Sequence, residues 1–122
     1  YAGVTDLALL YSQNKSENEE AKKKIWSELA GDIDNDWDLL IEQSPVYNVD
    51  KIKVPVFIAQ GGRDRIVDEE NYLRMLYMLQ HFKKEHEKLY MLNEYHGFLK
   101  INSEIAFFKQ ARLFVTKWIE QD

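Results

Sequence analysis

The chain has 122 residues, 45% of them apolar and 13% aromatic, with 16 basic against 21 acidic side chains and a net charge of −5. That length suits one domain or a piece of a larger one, and a compact chain of this size buries roughly two thirds of its surface. The acidic balance argues against a nucleic-acid backbone as partner. No run approaches the roughly 18 apolar residues of a membrane span, and the lack of cysteine excludes disulfides, thiolate catalysis and thiolate metal sites.

The opening "YAGVTDL" has no initiator Met, no charged leader and no apolar h-region, so it is not a signal peptide. It reads as the middle of a protein, beginning in or just after a strand. Absent cysteines do not choose between cytoplasm and periplasm. "SENEEAKKKIWSELAG" predicts a helix: Ser16 and Glu19 have capping-box spacing, Ala21, Ile25 and Leu29 form one stripe, and Gly31 stands at the C-terminal cap. "DIDNDWDLLIEQSP" predicts a second, shorter helix with acids at its positive end and Ser44-Pro45 as its stop. Its D-x-D-x-D start is like a calcium loop, but Trp37 and Gln43 occupy the sixth and twelfth positions, where an EF-hand needs Gly and Glu.

"VPVFIAQ" is a short β-branched run with the continuous apolar character of a parallel strand, and Pro55 must lie near its start. Asp68 can cap the next helix, "EENYLRMLYMLQHFKKEHE", with Tyr72, Leu76, Leu79 and Phe82 on one face and Lys83, Lys84 and His86 at its C-terminal end. "KLYMLN" is the next strand, and "YHGF" a loop. A last helix runs from a cap at Asn102 or Ser103 to about Ile119, with Ile105, Phe108, Ala111, Val115 and Trp118 as its buried stripe. Strand, helices, strand, helix, strand, helix argues for an α/β fold of about three parallel strands with helices on both faces.

In such sheets functional residues gather beyond the carboxyl ends of the strands. Asp64 follows the first apolar strand and His96 the second, so both arrive at one edge. An Asp in a loop is ordinarily a cap or a surface acid, here with Arg63 and Arg65 as ready partners, and a lone loop histidine is ordinarily structural. His81 and His86, placed on a helix, carry no chemistry in this reading. An acid followed along the chain by a histidine is, however, the order of an α/β-hydrolase triad after its serine.

"SPVYNVDKIKVPVFIAQGGRDRIVDEENYLRMLYML" followed by "YHGF" resembles the C-terminal part of the catalytic domain of prolyl oligopeptidase-family serine peptidases, over about residues 31–119. The shared order is Ser-Pro, a D-K-I-K-x-P lead-in, an apolar strand, G-x-x-D-x-x-V, a helix, a strand and H-G-F; "AGVTDL" is similar to the segment after the family's nucleophile elbow. The resemblance implies that residues 1–122 are the C-terminal portion of an α/β-hydrolase catalytic domain, with Asp64 as triad acid and His96 as triad base. It implies oligopeptide substrates, no metal and no cofactor. Gln60 stands where many relatives have His, Asp68 where Pro is usual and Tyr95 where Gly is common.

No serine here (Ser12, Ser16, Ser27, Ser44, Ser103) lies in G-x-S-x-G. The expectation is therefore a nucleophile upstream of Tyr1, a chain inactive by itself, and a parent serine peptidase. A related esterase or acyl hydrolase, or a non-catalytic assembly module, are the other readings. A parallel sheet cut from its neighbours leaves an apolar edge, so self-association through that edge is also expected.

Overall fold

The computed structural model describes residues 1–13 and 19–120. Helix α1 (Leu7–Gln13) is followed by α2 (Glu19–Ala30) and α3 (Trp37–Gln43). Two 3₁₀ turns at Pro45–Tyr47 and Val49–Lys51 lead into strand β1 (Val56–Gly61), then α4 (Glu70–His81), β2 (His86–Met91) and α5 (Ile101–Ile119). The strands are parallel, in register from Val56 opposite His86 to Gly61 opposite Met91. This is an α/β arrangement, but the described residues hold two strands rather than three. The opening segment contributes one ladder-like bond to β1, from Ala2 N–H to the Ala59 carbonyl at 3.0 Å, and then turns away into α1.

Alternation along β1 sends Val56 and Ile58 to one face and Phe57 to the other. Val56 and Ile58 meet the buried cluster of Val49, Met75 and Leu79, so α4 covers that face. Its buried residues Tyr72, Met75, Leu76 and Leu79 follow helical spacing, and each is worth about 1.5–3 kcal/mol in transfer free energy. Phe57 stacks on Phe107 and Phe114 of α5, with ring centroids 5.8 and 5.7 Å apart, so α5 covers the other. Pro55 sits immediately before β1, where its missing N–H costs no ladder bond.

Several boundaries and faces differ from the sequence reading. Helix α4 ends at His81 and not near Glu87, because Lys83 takes φ 52°. The Lys83 N–H then reaches Gln80 O and the Lys84 N–H reaches Leu79 O, the paired bonds of a Schellman cap. Phe82 is left exposed, and His86 opens β2, with Nδ1 2.8 Å from Lys84 O. Strand β2 therefore begins two residues before Lys88.

Helix α3 starts at Trp37, since Asp32 Oδ1 accepts the N–H groups of Asp34 and Asn35 and holds a turn ahead of it. Gly31 does end α2, at φ 110°. Ile25 and Leu29 of α2 stand exposed, and the Ser16–Glu19 pairing lies outside the described residues. On α5, Phe107, Phe114 and Trp118 face inward, while Ile105, Phe108 and Val115 are 57, 59 and 50% exposed. The helix is apolar nearly all round, and the aromatic stripe is the one that finds Phe57.

The opening segment is fastened to α4 and to the 3₁₀ turn Pro45–Tyr47 through the buried Asn71 and Asp6. Asn71 Oδ1 accepts the N–H groups of Thr5 and Asp6, and the Thr5 hydroxyl donates to Asn71 O at 2.7 Å. The Asp6 carboxylate, itself buried, accepts from Arg74 Nη1 (3.0 Å), the Tyr47 hydroxyl (3.1 Å) and the Leu9 N–H in the first turn of α1. Asn71 and Asp6 are thereby paired, as burial demands.

Candidate active site

Because β1 and β2 run parallel, the loops that follow them leave the same edge of the sheet. Asp64 lies in the first and His96 in the second. Asp64 Oδ2 is 3.0 Å from His96 Nδ1; the Asp64 side chain is fully buried and that of His96 is 47% exposed. A carboxylate at this distance only accepts, so Nδ1 carries the proton, and Nε2 is left as the basic nitrogen.

The acid is held firmly. Asp64 Oδ1 accepts the N–H groups of Ile66 (2.8 Å) and Val67 (2.9 Å), which fixes the carboxylate in its own tight turn. The Gln60 side chain, buried beneath it, points Nε2 at Oδ2 (3.4 Å) and at the Val67 carbonyl (3.2 Å). Among the described residues neither Arg63 nor Arg65 forms an ion pair with Asp64. Asp68 goes to the start of α4, where its Oδ1 accepts the Glu70 N–H at 2.9 Å.

The two loops are also joined through their backbones. Gly62 N–H reaches Met91 O, and Arg63 N–H reaches Glu94 O, at 2.9 and 2.8 Å. Neither Gly61 nor Gly62 has a positive φ; what glycine supplies at both positions is space. A Cβ on Gly61 would collide with the carbonyl oxygens of Tyr95 and Glu94, and one on Gly62 would meet Tyr90 Oη at 2.6 Å. Gly97, by contrast, has nothing within 4 Å of where a Cβ would stand.

Two groups around the His96 loop, Tyr1 and Glu94, were not singled out from the sequence. Tyr1 donates its hydroxyl to Tyr95 O at 2.6 Å, and its ring packs on Phe98 at 4.8 Å and Phe107 at 5.6 Å. Burial, with the nearby Asp64 and Glu94 charges, pushes the Tyr1 phenol above its ordinary range. Glu94 is buried, and its carboxylate accepts the N–H groups of Leu99 (2.8 Å) and Lys100 (3.2 Å). Those bonds replace the expected capping of α5 by Asn102 or Ser103, since the helix begins at Ile101 without a side-chain cap from its own N-cap residue. The signal for Glu94 lay only in its place seven residues before α5, and acids at such distances from a helix are too common to read.

Each described serine hydroxyl has a partner away from His96. Ser12, Ser27 and Ser44 donate to the carbonyls of Leu9, Lys24 and Leu40 within their own helices or helix ends, and Ser103 bonds Glu94.

Residues 1–77, more than half of the chain and including Asp64, match the model of the BD-FAE family. A solved structure of a Mycobacterium tuberculosis puromycin-hydrolyzing peptidase is similar at TM-score 0.70 and 24% identity, over 80% of this chain. The chain spans 14% of that peptidase's length, and at this identity the likeness speaks for the fold. No curated protein matches. The two-stranded parallel unit with its helices is thus of the α/β-hydrolase type, and the chain belongs to the BD-FAE family.

Proposed function

We propose that the protein carrying this chain is a serine hydrolase in which Asp64 and His96 are two members of a Ser-Asp-His triad. The observation that supports this most is the 3.0 Å contact between a buried carboxylate and a half-exposed imidazole. The serine, and the N–H groups that hold the oxyanion, come from outside these 122 residues.

In this reading His96 Nε2 takes the proton of the serine hydroxyl as its oxygen attacks the substrate carbonyl. The imidazolium so formed is stabilised by the Asp64 carboxylate beside it. The proton then passes to the leaving amine or alcohol as the bond to the acyl carbon breaks. Water, deprotonated in turn by His96, releases the acid and restores the serine. Alone, the chain provides acid and base but no nucleophile, and it is inactive.

The substrate is an oligopeptide, a choice supported by the prolyl oligopeptidase-like character of residues 44–98. Membership of the BD-FAE family favours a second reading, an acyl ester. Labelling of the full-length protein with a fluorophosphonate probe tests the mechanism: strong labelling is expected, lost in His96→Ala. Undiminished labelling of that variant removes His96 from the reaction. Parallel assays on oligopeptide anilides and nitrophenyl acyl esters separate the two substrate classes.

A further inference from the structure

We propose that Glu94 is a positioning residue for His96, binding the imidazole's loop into the one geometry that meets Asp64. The proposal rests on the reading of His96 as general base.

Glu94 is a buried acid that takes part in no ion pair among the described residues, and a carboxylate placed so is costly unless hydrogen-bonded. Its oxygens accept the N–H groups of Leu99 and Lys100, and its own carbonyl accepts the N–H of Arg63, the residue before Asp64. One residue therefore grips the far end of the His96 loop with its side chain and the Asp64 loop with its backbone. Hydrogen bonds from Leu99 N–H, the Ser103 hydroxyl and Lys100 N–H, aided by the Lys100 charge, outweigh burial and hold its carboxyl below the usual glutamate range, so it is ionised at neutral pH.

Beyond its bond to Asp64, the imidazole ring itself is not enclosed. His96 is half exposed, and Gly97, the next residue, touches nothing with the face a side chain would occupy. Packing at His96 itself is thin, and a flexible residue adjoins it; the ends of the loop must fix its middle. Glu94 closes that loop across Tyr95–Phe98.

The test uses the full-length protein as wild type, Glu94→Gln, Glu94→Ala and Asp64→Asn. In wild type a far-downfield imidazole Nδ1–H signal is expected by proton NMR, absent in Asp64→Asn. Glu94→Ala broadens or loses that signal and lowers kcat by about 10–100-fold with KM little changed, as a small misplacement of a catalytic group does. Glu94→Gln keeps one acceptor oxygen and recovers part of both. A Glu94→Ala protein with the wild-type signal and kcat overturns the proposal while leaving the triad intact. If Glu94→Ala does not fold, Glu94→Gln with unchanged signal and kcat overturns it equally. A wild type without the signal, and with hydrolysis indifferent to Asp64→Asn, overturns the triad reading itself and the proposal with it.

Discussion

The backbone of Gly61 lies against the carbonyl oxygen of Tyr95 so closely that no Cβ fits between them. Gly61 ends β1 three residues before Asp64, and Tyr95 precedes His96, so this contact sets how near the two loops come. Gly61→Ala forces backbone apart from backbone, an overpacking of about 1–3 kcal/mol or more. Gly97→Ala meets open space at an ordinary φ and stays within about 0.5 kcal/mol of wild type. Urea unfolding of the two variants checks this; equal midpoints would show that the close approach is not needed.

Asp64→Asn separates the acid's two jobs. An amide oxygen at the Oδ1 position still accepts from Ile66 and Val67, so the turn survives. Its NH₂ then faces His96 Nδ1 and demands the other tautomer. The expected outcome in the full-length protein is a kcat lower by about 10⁴-fold with an unchanged thermal midpoint. Retained activity would mean that Asp64 does not orient the imidazole.

Lys83 adopts φ 52° at the end of α4, a conformation that costs a side-chain-bearing residue about 1–2 kcal/mol. Glycine removes that strain but gives the unfolded chain more freedom, at about 0.4–1 kcal/mol. Lys83→Gly is therefore a net gain of about 0.5–1 kcal/mol, read as a higher urea midpoint at constant slope. A lower midpoint would place the helix end elsewhere.

The depressed carboxyl of Glu94 has a signed effect on stability. With a folded value below the unfolded one, its contribution is fully present above the ordinary glutamate range and is lost as the pH falls through the folded value. The difference in thermal midpoint between wild type and Glu94→Gln should be flat near neutrality and shrink in acid. A difference that grows with acidity contradicts the assignment of a stabilised carboxylate.

Among the described residues Ile105, Phe108 and Val115 form an uncovered apolar strip on α5, and β2 has a partner strand on one side only. The 122-residue polypeptide is expected to self-associate with a second copy over these surfaces. Sedimentation should show a species larger than the monomer, shifted toward monomer by Phe108→Glu; a stable monomer at micromolar concentration would refute it.

The sequence was readable wherever one signal stood alone. The β-branched run Val56–Ala59, the face of α4 and Gly31 each had a single physical meaning. Asp64 and His96 could be named because parallel strands deliver their following loops to one edge. Where two signals competed the reading failed. Helix α5 has two apolar stripes, and only Phe57 across the interface decides between them. Lys83 is a strong helix former in a cap position that usually holds glycine, so the end of α4 was invisible. Helix α1 depends on the buried Asp6 and its bond to the half-exposed Arg74, 68 residues away, which no local pattern announces. Glu94 was missed for the same reason, since its role exists only once the loop has closed.

The Tyr1 hydroxyl on the Tyr95 carbonyl joins residues 94 positions apart. Such a bond bears on the order of events in folding. Closing so long a loop is entropically expensive, and contacts of this separation form late and slowly. As the chain is synthesised, Tyr1 emerges nearly a hundred residues before its acceptor exists. Asp64 is already in its turn by then, since its Ile66 and Val67 bonds are local. The imidazole is thus the last part to be seated, and a protein could pass every test of secondary structure while its acid still lacked its base.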